Sequence, residues 1–460
     1  GAALGPIMVY ACCWPKFDRL CACPPSCGLW LGQFAYSASG GGDPCVDFIF
    51  RSVGNLSFGR GDADYLGHSC LQKRGSKISD LVEDMRAWRQ DIHKHPELGF
   101  DENRTAAKIA ELLREFGLEV HTGIGGTGVV GVLKRGTCER AMGLRADMDA
   151  LPIQEQGAPH YKSIHNGVFH GCGHDGHSAM LLGAARYLSL QGDFDGTVYF
   201  IFQPNEENGL GALAMINDGL FDRFAMESIY GIHNMPGIAT GNFAVRKGEM
   251  MAFEDNFVIH LKGVGGHASM PHKTIDPMVV GAEIISALQT IVSRSIGAEQ
   301  WAVVSVTEFI TDGARNIIPS NVTIKGDTRG LDTDVQVKIE ERMRKIVEGI
   351  CGAYGVENTV EYTHEFIVLH NSVLETNAAI KAARSTVGMQ RVEPKCDTFS
   401  CSEDFAQFLK YVPGCYILIG NGDSADDAGL HNPYYDFKDD ILNVGASYWV
   451  NLVCLQLAPQ

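Results

Sequence analysis

From residue 79 onward, short apolar runs alternate with stretches of helical period, and this alternation restricts the possible folds more than any other property of the chain. VVGVL (129–133), AMGLRA (141–146), VYFIFQ (198–203) and SIYGIH (228–233) are brief runs that read as strands. Helical stretches at 179–188 and near 211–217 fall between them. Parallel neighbours cannot be joined by a tight turn, so strands separated by helices imply crossovers. The predicted class is α/β, a mostly parallel sheet with helices on its faces. Two helices lead into it. Leu81, Met85, Trp88 and Ile92 recur at intervals of 4, 3 and 4 and line one helix face; Asp80 with Glu83 has the form of a capping box, and Pro96 sets the far limit. The second helix runs from about Arg104 to Phe116 and stops at Gly117.

A second block interrupts this pattern. NFVIHLKG (256–263), a long helix from Asp276 to about Ser295, AVVSVTEFI (302–310), VTIKGDTRG (322–330), a helix over about 333–350 and a strand at 360–366 make two β–α–β passes. They predict a compact α+β domain over 250–366, inserted between a first part (79–249) and a second part (367–460) of the larger domain. The second part contains the strand GCYILIG (414–420) and a last helix from Asp439. Residues 1–78 have no segment with a sustained helix period and read as a poorly ordered or atypical extension. Seven of the 14 cysteines (Cys12, Cys13, Cys21, Cys23, Cys27, Cys45 and Cys70) lie there, in no spacing that defines a metal site or disulfide framework.

Composition excludes some partners. Lys plus Arg number 38 against 55 Asp plus Glu, a net charge of -17, which is wrong for gripping nucleic acid. No run of 18 or more apolar residues is present, so no membrane span is expected. The start lacks a basic residue ahead of its apolar stretch, and the cysteines after residue 70 are scattered, so the expected compartment is reducing and cytoplasmic.

The polar residues cluster at strand ends. GCGHDGH places Cys172, His174 and His177 between a Gly-rich loop and a helix expected to begin near Ser178. Thiolate and imidazole are good ligands for zinc, manganese or iron, although a catalytic cysteine beside a histidine has the same composition. QPNEEN sets Glu206 and Glu207 directly after a strand, where one carboxylate can hold an ion and the other face a substrate water; a solvated acidic loop is the bland alternative. His233 in GIHNMPG and His431 in LHNPYYDF lie at further strand ends or loops, and ligands converging there follow the general rule for open α/β sheets. Asp147 and Asp149 in LRADMDALP suit carboxylates that hold a ligating histidine from behind, or that bridge two ions. His177 can ligate or donate to a backbone group. His93 and His95 end a helix, where the last carbonyls and the dipole satisfy imidazoles. Glu403–Asp404 suits the first turn of a helix from Ser402.

Taken together, LRADMDALP, GCGHDGH, FQPNEEN, GIHNMPG, GGHASMPH, ARNIIPS and HNPYYDF resemble, in order over about residues 80–455, the two-metal amidohydrolases. That family includes aminoacylases, hippurate hydrolases and plant auxin-amide hydrolases, with metal-dependent carboxypeptidases as distant relatives. The resemblance implies two divalent ions (manganese, zinc or cobalt) held by Cys172, His174, Glu207, His233 and His431, with Glu206 as general base. It makes the 250–366 insertion a lid that often forms a homodimer. His267 in GGHASMPH would then hold the substrate carbonyl, in cis or across the dimer, while Arg315 and Asn316 in ARNIIPS would face the substrate, Arg315 as partner of a free carboxylate. Asp147, Asp149 and His177 would support the ligands or touch substrate, and His272 would pack on the substrate side. The implied substrate is an N-acyl amino acid, N-acetyl, N-benzoyl or similar. A metallo-exopeptidase cleaving dipeptides and a non-catalytic binding protein of the same fold are the alternatives.

Overall fold

The structure is a computed structural model that describes residues 77–425 and 427–459. The extension expected over 1–78, with its cysteine cluster, lies outside the described residues except for Lys77 and Ile78, and Ile78 is buried in the main core. In chain order the elements begin with α1 (Val82–Lys94), α2 (Asn103–Glu115), β1 (Glu119–Ile124), β2 (Gly128–Arg135) and β3 (Ala141–Asp147). Next come α3 (His174–Gln191), β4 (Gly196–Gln203), α4 (Gly211–Asn217), α5 (Leu220–Arg223), β5 (Ser228–Pro236), β6 (Phe243–Ala244) and β7 (Gly248–Met251). The second block holds β8 (Phe253–Lys262), β9 (Gly266–His267), α6 (Pro277–Thr290), β10 (Ala302–Thr311), β11 (Ile317–Ile318), β12 (Asn321–Gly330), α7 (Thr333–Tyr354) and β13 (Glu357–Phe366). The chain then closes with β14 (Leu369–Asn371), α8 (Val373–Val387), β15 (Val392–Glu393), β16 (Gly414–Gly422) and α9 (Leu442–Gln456).

The main sheet has the order β1-β2-β4-β3-β5-β16-β6-β15. Its centre, β4-β3-β5-β16, is parallel. The β1-β2, β2-β4 and β16-β6 pairings are antiparallel, so the whole sheet is mixed. Both faces are covered, which is why its central strands are apolar at nearly every position. Phe200 and Phe202 join the core that includes residues of α3, α8 and α9, while Ile201 between them joins the core with Met215 of α4 and Leu220 of α5. Each such aromatic contributes about 1.5–3 kcal/mol by leaving water.

The second sheet is antiparallel, ordered β10-β12-β8-β13. α6 and α7 supply Ile284, Leu288, Ile339 and Met343 to a core shared with Ile259, Leu261 and Ile324 of this sheet. Asp276 caps α6 by accepting from Met278 N at 2.9 Å, and Asp332 caps α7 by accepting from Asp334 N at 2.8 Å.

Several local expectations differ. Asp80 does not cap α1: it lies inside a one-turn 3-10 segment (Ile78–Leu81) and accepts from Lys77 N at 2.7 Å, while Glu83 pairs with Arg86. β1 and α8 were not expected. EVHTGI of β1 is a largely exposed edge with no apolar run, and α8 buries a face made mainly of alanine, which carries little hydrophobic signal. α3 begins at His174, a turn earlier than expected, so a candidate ligand is its first residue.

His93 also departs from the helix-end reading. His95 does accept that role, bonding Asp91 O at 2.8 Å, but His93 Nδ1 reaches Asp175 at 3.0 Å across the α1–α3 contact. Burial pulls the His93 imidazolium down, yet its bonds to Asp175 and Glu155 prevail and raise its pKa from 6.5 to about 9. A folded pKa above the unfolded one gives stability that is complete below about pH 6.5 and fades as pH rises through about 9. A His93→Gln variant should therefore lose up to about 3 kcal/mol at pH 6 but little near pH 10. Denaturant unfolding of both proteins at the two pH values measures this, and equal losses at both would refute it.

Candidate metal centre

The site forms at the carboxyl ends of β4, β3 and β5, three adjacent parallel strands, and is completed by the start of α3 and by a loop. Gly173 makes the approach to α3 possible. Its φ of 92° is left-handed, and a Cβ there would lie 2.4 Å from Asn234 Nδ2 and 2.6 Å from the Tyr435 hydroxyl. Two non-glycine residues of the site share that backbone region: Asn205 (φ 47°), just before Glu206, and His431 (φ 63°). Asparagine tolerates it readily; His431 is held there as its N–H donates to Gly171 O at 2.8 Å.

Five side chains converge. Cys172 Sγ is 3.4 Å from His233 Nε2, His174 Nε2 is 3.8 Å from Glu207 Oε1, and His431 Nε2 is 3.4 Å from Glu207 Oε2. Cys172, His174 and His233 form one trio whose donor atoms lie within 4.8 Å of each other, and Cys172, Glu207 and His431 form another. Cys172 belongs to both, as a donor shared by two ions must. Donors bound at about 2.0–2.3 Å to one tetrahedral ion stand roughly 3.3–3.8 Å apart, which matches these separations.

Hydrogen bonding tests the fit further. His174 Nε2 and Glu207 Oε1 are buried without a hydrogen-bond partner, which is costly unless a ligand satisfies them. His174 Nδ1–H donates to Asp149 at 3.1 Å and His233 Nδ1–H to Asn234 O at 2.5 Å, leaving each Nε2 with its lone pair toward the centre. Burial, with Glu207 and Glu206 nearby, holds the Cys172 thiol well above its usual pKa, so a cation is what would release its proton. The donors present suit a pair of divalent ions.

Asp147 and Asp149 stand behind the site histidines, bonded to His177 Nδ1 and His174 Nδ1. Asp149 also accepts from Glu207 N at 3.1 Å, so one carboxylate orients two candidate ligands. An Asp149→Ala variant should bind metal about 10–100-fold more weakly, as titration calorimetry with zinc or manganese would measure; unaltered affinity would remove Asp149 from this role. Asp147 accepts from His177 Nδ1 at 2.6 Å and from Arg145 Nη1 at 2.7 Å. His177 Nε2 accepts from Asn234 N at 2.9 Å, so both its ring nitrogens have partners, and its donor atom stands within 4.8 Å of those of Asp147 and His174.

Glu206 lies beside this centre, its Oε2 4.0 Å from His174 Nε2. Burial raises its pKa well above the usual carboxylate range, and Glu403, Glu207 and Asp404 add to this. Glu403 and Asp404 do start a helical turn, with Glu403 as its cap, but they are buried and paired with Arg145 at 3.0 and 3.2 Å. Tyr416 donates to Glu403, and Gln203 donates to Asp404 at 2.7 Å. Arg145, Asn234 and Arg329 join the site through contacts that no local motif announces. Arg145 left a trace, a charge inside an otherwise buried strand; the other two did not.

The centre opens into a cavity of about 430 Å³. Met235, Met251 and Leu430 line it, as do Glu254, Arg329, Glu365 and Phe366 of the second sheet. His267, Arg315 and Asn316 do not line it: they are exposed on the paired β9–β11 ribbon, where Ala268 N donates to Asn316 O at 3.0 Å, and His272 is exposed nearby. Among the described residues no helix is long and apolar enough to cross a membrane.

Known proteins similar to this chain share most of its length. The chain is 42% identical over 376 residues to hippurate hydrolase of Campylobacter jejuni, covering 82% of this chain and 97% of that one. It is 36% identical over 381 residues to thermostable carboxypeptidase 2 of Saccharolobus solfataricus, covering 80% and 95%. Among solved structures, a putative aminohydrolase from methicillin-resistant Staphylococcus aureus superposes with TM-score 0.77 at 32% identity, covering 83% of this chain and 98% of that one. The Bacillus subtilis YXEP protein, described as a dinuclear metal binding peptidase from the M20 family, superposes with TM-score 0.71 at 30% identity, covering 82% and 99%. The model of peptidase family M20/M25/M40 matches residues 143–454, which hold all five converging side chains, and the chain belongs to that family.

Proposed function

We propose that this chain hydrolyses the amide bond of N-acyl amino acids by attack of water, with Glu206 as general base and two divalent ions held by Cys172, His174, Glu207, His233 and His431. The observation that carries this reading is the pair of buried, partnerless atoms, His174 Nε2 and Glu207 Oε1, facing the same space as Glu206. When bound, the ions supply Lewis acidity, making a water acidic enough to attack near neutral pH and drawing charge from the carbonyl oxygen. Glu206, whose Oε2 lies 4.0 Å from His174 Nε2, takes the proton of the attacking water and delivers it to the departing amine. Asp149 holds His174 and the Glu207 backbone so that their donors stay convergent. Cys172 acts as a ligand, and no acyl-enzyme is needed.

The same reading makes the second sheet a lid, with the domain limits at 250 and 366, and a homodimer surface. β10 is one of its two edge strands, with Phe309 and Ile310 exposed, and Met278 and Val279 of α6 are exposed as well. Since His267, Arg315 and Asn316 stand away from the cavity of their own chain, the dimer offers them the partner's. His267 then donates to the developing oxyanion and its loss costs roughly a hundredfold in rate. Mixing His267→Ala with Glu206→Gln subunits should restore activity through hybrid dimers; a monomer in solution, or no restoration, would reject the in-trans role.

The deciding experiment removes metal with a chelator and restores manganese, zinc and cobalt separately. N-acetyl and N-benzoyl amino acids and dipeptides are then assayed. Turnover of N-acyl amino acids that vanishes with the metal supports the reading. Preference for dipeptides would favour a metallo-exopeptidase, as the carboxypeptidase relatives suggest, and metal binding without any turnover would leave a binding protein.

A further inference from the structure

The segment HPELGFDEN (95–103), which joins α1 to α2, takes no part in the chemistry above, yet it packs against the loop that carries Glu206 and Glu207. The approach is close. A Cβ on Gly99 would fall 1.8 Å from Asn205 Oδ1, and Ala150 N, next to Asp149, donates to Glu97 O at 2.8 Å. Glu102 occupies the N-cap position of α2, where a short polar side chain usually serves the helix, but its side chain does not cap it. It is fully buried instead, with Oε1 accepting from Asn205 N at 2.9 Å and Oε2 from Thr127 Oγ1 at 2.6 Å. Both partners are neutral, and burying a carboxyl group on neutral donors alone is costly.

The loop it reaches turns sharply after β4. Asn205 is left-handed (φ 47°), its carbonyl accepts from Gly211 N at 3.0 Å, and Glu206 O accepts from Gly209 N at 2.7 Å. Such backbone persists in a non-glycine residue only where its surroundings fix it. Asn205 N is fixed by Glu102 and Glu207 N by Asp149, so a carboxyl group holds the chain on each side of Glu206. We infer that Glu102 is a positioning residue for the general base: it fixes the Asn205 peptide and thereby aims Glu206, while Asp149 keeps the ligand Glu207 in place. This rests on the hydrolase reading above, in which Glu206 is the base.

Glu102→Ala, Glu102→Gln and Thr127→Val are compared with the wild type, each loaded with zinc, on an N-acyl amino acid that the wild type hydrolyses. A misplacement of about 1 Å can cost about a hundredfold, so Glu102→Ala should lower kcat by roughly 10–100-fold. KM, and zinc affinity by titration calorimetry, should stay as in the wild type, in contrast to Asp149→Ala. Glu102→Gln should restore most of kcat, since its amide oxygen accepts from Asn205 N and its amide N–H donates to Thr127 Oγ1. Thr127→Val frees one side of the carboxyl group and should lower kcat by a smaller factor; it carries the test if the alanine variant does not fold. Amide exchange followed by mass spectrometry reads the anchor without turnover. Exchange in a peptide spanning 200–210 should quicken about tenfold in Glu102→Ala, as loss of one hydrogen bond allows. It should stay slow in Glu102→Gln, and peptides from α9 should keep the wild-type rate in both. Zinc affinity falling in step with kcat, a raised KM with kcat kept, a glutamine variant as slow as the alanine one, or unaltered exchange in the loop would each overturn the role. Should the wild type turn over no amide, the hydrolase reading fails, and the exchange measurement alone decides whether Glu102 holds the loop.

Discussion

A Glu206→Gln protein is expected to lose about a thousandfold in kcat on any amide the wild type hydrolyses, while keeping the wild-type metal content. The substitution is nearly isosteric, so the cavity keeps its shape, but an amide cannot accept and return a proton as a carboxylate does, and positioned acid–base groups typically contribute 10²–10⁴-fold. The second half of the expectation separates two roles. Glu206 is near enough to His174 and Glu207 to make a further donor trio with them, so a ligand role is chemically open. Loss of metal together with activity would mark Glu206 as a ligand; loss of activity alone marks it as the base. Retention of turnover would end the proposed mechanism.

Replacing Arg145 by leucine should destabilise the fold by about 3–5 kcal/mol, since removal of one partner from a buried ionic cluster leaves uncompensated charge behind. Arg145 is fully buried and serves four partners: Gln203 at 2.8 Å, Asp147 at 2.7 Å, Glu403 at 3.0 Å and Asp404 at 3.2 Å. Leucine would fill much of the volume but leave three carboxylates without their cation. Lysine keeps the charge but has one nitrogen where the guanidinium uses three, so Arg145→Lys should fall between the two. Denaturant unfolding at fixed metal concentration measures both. A leucine variant within about 1 kcal/mol of wild type would show that the carboxylates find other compensation, such as shared protons.

How much of this was readable in advance depends on the range of each interaction. α1 followed from Leu81, Met85, Trp88 and Ile92, and β4 from VYFIFQ, because a continuous core imposes a period that local sequence must carry. α8 leaves no such pattern because its buried face is mostly alanine, and β1 leaves none because an exposed edge strand needs no apolar pattern. Asp80 shows a smaller limit: the capping pattern does not distinguish an α-helix from the 3-10 turn before it.

The candidate ligands divide in the same way. Cys172, His174, Glu206, Glu207, His233 and His431 could be named from the chain because each chemical type sits in a short, distinctive segment beside a predicted strand or helix. Their convergence, the two ring nitrogens of His177 both taken, Asp149 serving His174 and Glu207 together, and Arg145 reaching Glu403 more than 250 residues away could not. Nor could the exposure of His267, Arg315 and Asn316 outside their own chain's cavity. Sequence by itself determined which side chains were available and which elements would carry them, since periodicity and residue chemistry are local. Tertiary structure alone decided which atoms meet, because hydrogen bonds and metal ligation act over about 3 Å, and such distances exist only once strands far apart in the chain lie side by side.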